Sequence, residues 1–484
     1  MSDNNELKNK AFNGMLWSFA QKLSSQGLAF GISVVLARIL SPDDYGTVAL
    51  AGMFIVLCGV FGDGGLGQAL IRQKDVDERD LNTMFVSQLV FSSFIYLIIF
   101  VGAPYFAALY DKPILTDIIR VSALTMPLGA LAGVQNSVVT RRLMFKWYFY
   151  TNLASLVASG SVGLYMAYAG YGVWALVAQG LISPIVSTIV IWCLLDWHPK
   201  FQFDYNRFKP LFSKGIQFCL SSLIGTANYQ LKGYLLGWKY SSSDLAYYNR
   251  GEGLPDLVTR NIDGTIQGVL FPAIAQIQDD LDAVRNALRR AIKSSIVILF
   301  PMLFGLAAIS DKLVIILFSE KWAPAIPFMR INCFGCAIAV LCAVNIQPLK
   351  AIGHIALINK LDMIKKPLAI LAILITVQIS PIAIVYACVI VTIISYFINA
   401  WPNKKIIKYS YWQQMIDVAP VFFLSSIMAI IVYFVGFLIK NIYASIVLQI
   451  IVGFSFYIGI MEIVKIESYM YVKALILAKF RKNR

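Results

Sequence analysis

The sequence predicts an all-α polytopic membrane protein with about 14 transmembrane helices. We expect two six-helix lobes related by a parallel pseudo-repeat, followed by two C-terminal helices. Composition, the lengths of the apolar segments and the placement of basic residues support this fold class. Of the 484 residues, 58% are hydrophobic and 14% are charged, and the mean hydropathy is +0.70. Because a soluble domain carries about 25% charged residues, too few charges remain here for an ordinary cytosolic enzyme.

Apolar segments of membrane-spanning length recur along the whole chain. A helix that crosses the bilayer core needs about 20 mostly apolar residues. The second segment is interrupted by glycines and one acid, and the eighth by charged residues. The fourteen predicted spans are 14–37, 48–70, 82–103, 118–139, 149–169, 172–195, 212–238, 252–275, 294–309, 324–349, 363–379, 381–401, 418–439 and 442–462.

Basic residues distinguish the two sides of this topology. With the N-terminus inside, 29 of the 41 Lys and Arg residues fall in the N-terminus, in the even-numbered connections and the span ends that adjoin them, and in the tail. This asymmetry is the positive-inside rule, and it predicts that both termini are cytoplasmic. We therefore interpret the net charge of +15 as topology and contact with anionic membrane lipids, and not as nucleic-acid binding.

The beginning of the chain recurs in its second half. Leu36–Gly46 aligns with Leu236–Ala246, and Gly65–Ile71 aligns with Gly268–Ile274. Six spans per repeat keep both halves in the same orientation, as in transporters whose halves rock about a central site. Chance similarity between apolar segments is the alternative explanation. The predicted divisions are an N-terminal lobe at 1–200, a C-terminal lobe at 201–410, and spans 13 and 14 with a basic cytoplasmic tail at 411–484.

Charged residues lie inside four predicted spans. They are Lys22 in span 1, Asp63 in span 2, Lys232 in span 7, and Asp256, Arg260 and Asp263 in span 8. A basic residue at the centre of a transmembrane helix costs about 2.5–3.5 kcal/mol, so these groups are expected to face water or one another. Because these spans open the two repeats, the pattern predicts a shared cationic chamber. We expect its three basic residues to bind phosphate.

Two alternatives remain for these charges. Asp256, Arg260 and Asp263 share one helical face, so they can pair with one another. Lys22 lies near the cytoplasmic end of its span and can extend its ammonium group to the interface. Lys232 has no acid within seven residues on either side, which makes it the strongest of the basic candidates.

Polar side chains accompany the basic residues. Amide and hydroxyl groups beside an aromatic face suit a sugar, while ammonium and guanidinium groups suit a phosphate. The pattern therefore predicts a ligand that combines phosphate and sugar, and hydrogen bonding between helices is the alternative role of the amides. The candidate sugar-binding residues are Gln21 and Gln26 in span 1, and Asn228, Tyr229 and Gln230 in span 7.

We expect no cofactor, but a coupling ion could drive transport. Asp63, Asp256 and Asp263 are the candidates for coupling to Na⁺ or H⁺, with simple ion pairing as their other role. The two histidines, His198 and His354, are far apart in the sequence, so we expect no histidine-built metal site.

Three further patterns have structural interpretations. The glycine-rich run 62–67 matches G-x-G-x-x-G but follows a membrane helix and not a strand, so we expect it to thin or break span 2. Cys333 and Cys336 have the spacing of a redox motif but lie within an apolar run, so we interpret them as packing residues. The charged run 285–293 is expected to form a solvated amphipathic helix between spans 8 and 9.

Six short segments match a known family. They are Ala37–Gly46, Phe61–Ile71, Tyr171–Leu176, Asp244–Arg250, Leu270–Ala273 and Phe318–Trp322. Together they resemble the Wzx or WzxC-type lipopolysaccharide and polysaccharide flippases of the multidrug/oligosaccharidyl-lipid/polysaccharide (MOP) exporter superfamily. The resemblance covers roughly residues 10–400. At position 319 this chain has serine where the family commonly has glycine.

The resemblance implies a V-shaped chamber between two six-helix lobes, lined by spans 1, 2, 7 and 8. It implies that the protein is not an enzyme: it moves an undecaprenyl-pyrophosphate-linked oligosaccharide from the cytoplasmic to the outer leaflet of the bacterial inner membrane by alternating access. The cargo would be an O-antigen, capsule or exopolysaccharide repeat unit. Lys22, Lys232 and Arg260 would hold the pyrophosphate. The implied partners are the lipid-linked oligosaccharide, membrane lipids, and polysaccharide polymerase and export machinery.

Two other functions fit parts of the sequence. A multidrug antiporter of the same superfamily would be expected to have an acid-dominated chamber, whereas acids and bases are equal in number here. A membrane glycosyltransferase or polymerase would be expected to carry catalytic carboxylates in a large aqueous loop. The short connections between the spans disfavour it.

Overall fold

The computed structural model describes residues 22, 24–63, 65–67, 70, 76–142, 144–466, 469–470 and 473, and most of these residues are helical. Each of the fourteen predicted spans contains a described helix, and no β-strand occurs within these ranges. We number the helices after the spans: α1 Ser24–Ile39, α2 Pro42–Asp63, α3 Glu78–Leu109, α4a Ile114–Ser122, α4b Thr125–Arg141, α5 Phe145–Tyr168, α6 Val173–Leu194, α7 Tyr205–Lys239, α8 Ser242–Gln276, α9 Leu281–Phe318, α10 Ala325–Ala351, α11 Ile355–Thr376, α12 Pro381–Ile406, α13 Tyr411–Val435 and α14 Ile442–Val464.

Most of these helices have membrane-spanning character. In the described part of the chain, nine helices are long and apolar enough to cross a bilayer, counting Ile114–Arg141 as one span. They are α2, α3, α4, α6, α9, α10, α12, α13 and α14. The other five predicted spans are shorter or more polar helices, and α7 and α8 carry the charged residues discussed above. The protein is a multi-pass helical membrane protein.

The chain divides into two compact units, with the division after Ala246. In the first unit, α4b packs on α3 and α6, and α5 packs on α6. In the second unit, α10 packs on α9 and α12, and α11 packs on α12. The same four-helix packing therefore occurs once in each unit, six helices apart, as the parallel repeat requires. The core of the second unit continues onto α13 and α14.

The turns that open α2 and α8 have matching geometry. The Ser41 backbone N–H and hydroxyl donate to Asp44 Oδ2 at 2.9 and 2.6 Å, and the Asp44 N–H donates back to Ser41 Oγ at 3.2 Å. Ser241 and Asp244 make the same three bonds at 3.1, 2.7 and 3.0 Å. These reciprocal bonds form a capping turn, and they superimpose the two segments in the register that the sequence alignment predicts.

The second aligned pair of segments does not fold alike. Helix α2 ends at Asp63, and Gly65 has a φ of +69°, whereas α8 continues through Gly268 to Gln276. A positive φ favours glycine, so the glycine-rich run breaks span 2 as predicted. Span 2 was expected to continue to residue 70, and its helix is shorter for this reason.

One other local expectation needs correction. The charged run 285–293 is helical, but it is the first part of α9, which begins at Leu281 and continues without interruption to Phe318. Its buried side chains, such as Leu288 and Ile292, join the core of the second unit. Ser319 then ends α9 with a φ of +81° and a ψ of 169°, a conformation that is essentially restricted to glycine.

Candidate functional site

Helix α7 packs on α2 through a glycine-rich face. A Cβ atom added to Gly233 would collide with the Met53 side chain, and one added to Gly237 would collide with Leu50. The Tyr234 hydroxyl donates to the Met53 carbonyl oxygen at 2.8 Å. Small residues allow helices to approach this closely in membranes, so this contact fixes the rotation of α7 about its own axis.

The rotation of α7 separates its predicted ligand-binding residues into two groups. Asn228 and Lys232 are one turn apart and lie on the side away from Gly233 and Gly237. Gln230 lies on the α2-facing side, seven residues before Gly237. The structure therefore does not place all three predicted sugar-binding residues on one face, because residues two apart point in nearly opposite directions on a helix.

Lys232 and Tyr229 form a cation–aromatic pair. The Lys232 ammonium lies 5.4 Å from the centre of the Tyr229 ring, and Tyr229 is 52% exposed. An aromatic face attracts a cation within about 6 Å. The pair places a positive charge beside an exposed aromatic face, which suits a phosphate bonded to a sugar.

Helix α8 carries a polar stripe along one face. Asp256, Arg260, Asp263 and Gln267 follow one another at steps of four, three and four residues, so they lie on one side of the helix. Val258, Ile262 and Ile266 lie on another side and pack against the core of the second unit. The apolar contact therefore orients the polar stripe away from the core.

Arg260 is ion-paired within this stripe. Its Nε lies 2.6 Å from Asp256 Oδ2, and the Arg260 side chain is 63% exposed while that of Asp256 is 33% exposed. Asp263 accepts a hydrogen bond from Gln267 Nε2 at 2.6 Å. The local pairing that the sequence suggested therefore forms between Arg260 and Asp256, while Asp263 has an amide partner.

The first two spans are described in part. Lys22 is helical and exposed, and Gln26, one turn later, is half-buried. Gln21 lies outside the described residues. Asp63 is the last residue of α2, but its side chain also lies outside what the structure describes.

Sequence reasoning missed two members of the α8 stripe. Glu252, which is half-buried, precedes Asp256 by one turn, and Gln267 follows Asp263 by one turn. Their three- and four-residue spacing was the signal that could have identified them. With them, the stripe extends over four turns and contains three acids and one base.

Known proteins with related sequences complete this description. A family model for "Polysaccharide biosynthesis protein" matches residues 35–327, which is more than half of the chain. The chain belongs to this family. The matched range includes both capping turns, the α7 pair and the α8 stripe, so the family resemblance predicted from short segments is confirmed.

Two curated relatives of this family member span most of its length. The succinoglycan biosynthesis transport protein ExoT of Rhizobium meliloti (strain 1021) is 27% identical over 338 residues, covering 70% of this chain and 68% of its own. The lipopolysaccharide biosynthesis protein WzxC of Escherichia coli (strain K12) is 23% identical over 451 residues, covering 90% and 89%.

Two solved structures have a similar fold. The lipid II flippase MurJ in an inward closed conformation matches with a TM-score of 0.77 and 16% identity over 95% of this chain and all of that chain. An inward-facing multidrug resistance MATE family transporter of the MOP superfamily matches with a TM-score of 0.59 and 16% identity, over 80% and 96%. The protein therefore shares its fold with these two solved structures.

Proposed function

We propose that the protein flips an undecaprenyl-pyrophosphate-linked oligosaccharide from the cytoplasmic to the outer leaflet of a bacterial inner membrane. The observation that supports this most directly is the exposed Arg260–Asp256 pair on a membrane helix. A charge that is exposed to lipid within a transmembrane helix is costly, whereas a water-filled lumen tolerates it. The relatives named for succinoglycan transport and lipopolysaccharide biosynthesis support the same class of cargo.

The binding step is electrostatic. We assign the pyrophosphate to Lys22, Lys232 and Arg260, and the sugar to Gln21, Gln26, Asn228, Tyr229 and Gln230, of which Asn228 and Tyr229 lie about one turn of α7 before Lys232. Arg260 recognises a phosphoryl oxygen as a planar fork and lysine does so as a point charge. The polyprenyl tail stays in the bilayer while the head group changes sides, and no covalent bond forms or breaks.

An ion gradient supplies the direction of transport in this proposal. Asp263 is the α8 acid that we assign to coupling with Na⁺ or H⁺, because Asp256 is engaged with Arg260. Asp63 remains a second candidate. Both termini lie in the cytoplasm by the positive-inside rule, and a polysaccharide polymerase and export machinery receive the flipped product.

A vesicle assay tests the proposal. Purified protein in liposomes should exchange a fluorescent lipid-linked oligosaccharide between leaflets. We expect the double variant K232A/R260A to be at least about tenfold slower, since one charge-assisted hydrogen bond contributes about 1.5–3 kcal/mol. The control is K200A, which removes a surface lysine that pairs with Glu78. Polymer export in cells should follow the same order, with each variant present in the membrane.

The outcomes separate the competing functions. Undiminished exchange by K232A/R260A would reject the chamber assignment. Exchange of organic cations without lipid exchange would identify a multidrug antiporter, and elongation of the labelled sugar would identify a polymerase or glycosyltransferase. A Na⁺ or H⁺ gradient should accelerate the wild type but not D263N, and equal acceleration of both would remove Asp263 from the coupling step.

A further inference from the structure

A cluster of basic side chains lies at the junction of α9 and α13, within the second unit and apart from the α8 stripe. A cavity of about 250 Å³ opens there between the N-terminal parts of both helices. A water molecule occupies about 30 Å³ in the liquid, so the cavity can hold a phosphate or diphosphate group with several waters. It is lined by Arg285, Asn286 and Arg289 of α9, and by Tyr409, Gln413 and Asp417.

The base of the cavity is a nearly buried carboxylate. The Asp417 side chain is 7% exposed. Arg289 donates two hydrogen bonds to it, from Nε to Oδ2 at 2.6 Å and from Nη2 to Oδ1 at 2.7 Å. The Lys293 ammonium lies 3.4 Å from Oδ1, and the Tyr409 hydroxyl donates to Oδ2 at 2.8 Å. Asp417 is thus fully satisfied, and it fixes the plane of the Arg289 guanidinium.

This arrangement has a surplus of positive charge. Arg289 and Lys293 share one carboxylate, and Arg285 adds a third cation whose pairing with Asp282, at 3.3 Å, is on the surface. A guanidinium has five N–H donors, and two of those in Arg289 serve Asp417. Since the Arg289 side chain is 50% exposed, the same group can serve Asp417 and an anion together, as arginine does in bidentate phosphate recognition.

The surroundings of the cavity are those of a membrane interface. Ile416, also in its lining, is 72% exposed, and the neighbouring Trp412 is 62% exposed. Tryptophan concentrates at the level of lipid head groups, and the basic run on α9 assigns this end of the helices to the cytoplasmic side. If the bound anion is the head group of a lipid, the hydrocarbon chain of that lipid would lie alongside these exposed apolar side chains.

We propose that the α9–α13 cavity binds the phosphoryl head group of an anionic lipid in the cytoplasmic leaflet. Basic pockets between transmembrane helices on this side recognise such head groups. Two sources share this chemistry, an anionic phospholipid and the polyprenyl pyrophosphate of the lipid-linked cargo. In the second case the cavity would hold the cargo before it enters the transport pathway, which extends the function proposed above.

Equilibrium binding to the purified full-length protein tests this site. The probes are polyprenyl pyrophosphate, phosphatidylglycerol, zwitterionic phosphatidylcholine and inorganic phosphate. The test variant is R285A/R289K, in which a lysine keeps a positive charge beside Asp417 while the planar fork is lost. The matched control is R290A, which removes an exposed arginine from the same helix outside the lining. Unchanged thermal unfolding of both variants establishes that they are folded.

We expect at least one of the two anionic lipids to bind, and R285A/R289K to weaken it about tenfold while R290A stays near the wild type. Binding of polyprenyl pyrophosphate alone would identify the cargo, and equal binding of phosphatidylglycerol would identify a membrane phospholipid. Equal weakening in R290A, or no weakening in the double variant, would overturn the site. Inorganic phosphate that competes as well as the lipids would overturn the lipid assignment.

The binding measurement is independent of transport. Loss of head-group binding with normal leaflet exchange would reject a loading role for this cavity and leave the proposed function intact. Normal head-group binding by a protein that exchanges no lipid-linked oligosaccharide would reject the proposed function and leave the head-group site in the cavity intact.

Discussion

The α3–α7 junction of the first unit and the α9–α13 junction of the second unit have opposite electrostatic designs. At the first, Arg207 of α7 meets Asp77 at 2.6 Å, Asp80 at 2.9 Å and Asp204 at 3.6 Å. At the second, Asp417 of α13 meets Arg289 at 2.6 Å and Lys293 at 3.4 Å. In each case the helix that follows a four-helix bundle, α7 or α13, contributes one charged side chain. Three side chains of opposite charge contact Arg207, and two contact Asp417.

The difference teaches that the repeat preserves helix packing and not the sign of the charges. Both junctions connect the start of a long helix, α3 or α9, to the helix that follows the bundle, α7 or α13. Ion pairs of either polarity can make this connection. The surplus differs, however, with acids in excess around Arg207 and bases in excess around Asp417. Only the second junction is therefore suited to an anion, which is why we place the head-group cavity there.

The largest expected effect comes from removing the central charge of the second junction. D417A leaves Arg289 and Lys293 close together without their carboxylate. Breaking a buried pair costs about 3–5 kcal/mol, and the partial exposure of Arg289 reduces the expected loss to about 2–3 kcal/mol. Thermal unfolding in detergent should place D417A well below the wild type.

The matched change at the first junction should be mild. D77A leaves Arg207 with Asp80 and Asp204 but removes the N-cap of α3, where the Asp77 carboxylate accepts a hydrogen bond from the Asp80 N–H at 2.9 Å, so we expect a loss of about 1 kcal/mol. Equal decreases in the two melting temperatures would contradict the view that one junction depends on a single carboxylate and the other does not.

The turns after α3 and α9 offer a second, smaller contrast. Asp111 has a φ of +50° and Ser319 a φ of +81°. Aspartate tolerates the left-handed region, whereas the Ser319 conformation costs a non-glycine residue about 1–3 kcal/mol. S319G should therefore raise the melting temperature and D111G should leave it nearly unchanged or lower it. A destabilised S319G would show that the serine side chain supplies something that the backbone argument omits.

The smallest expected effect is a pH dependence of the first junction. The Asp80 backbone N–H, and then the Arg207 guanidinium, hold the pKa of the Asp77 carboxyl below its usual range. A lowered pKa in the folded state stabilises the protein above the unfolded value of about 3.9, and this contribution is lost as the pH falls through the folded value. Between pH 6 and pH 3, the melting temperature of the wild type should therefore fall more steeply than that of D77N. Parallel curves would mean that the Asp77 charge adds no stability.

Local sequence signals were sufficient for the helices and their turns. Each of the fourteen apolar segments contains a helix in the described part of the chain, and the serine–aspartate turns at Ser41 and Ser241 form in the predicted register. Span 9 was underestimated, because a hydropathy window stops at residue 294 while the amphipathic helix begins at Leu281. Helical periodicity, and not hydropathy, detects such a segment.

The candidate site was only partly accessible to the same reasoning. Spacing along α8 predicted the Arg260–Asp256 pair and could have added Glu252 and Gln267. The rotation of α7, which separates Gln230 from Asn228 and Lys232, depends on where Gly233 and Gly237 meet α2. No periodicity within α7 alone selects that face.

The sequence by itself determined the membrane class, the positions of the helices and the serine–aspartate turns that begin α2 and α8, because hydropathy and capping act over a few neighbouring residues. Only the tertiary structure decided that Arg289 binds Asp417, a residue 128 positions away, and that the cavity beside them is basic. Charges so distant along the chain acquire a defined partner only when the packing of their helices offsets the entropy cost of bringing them together.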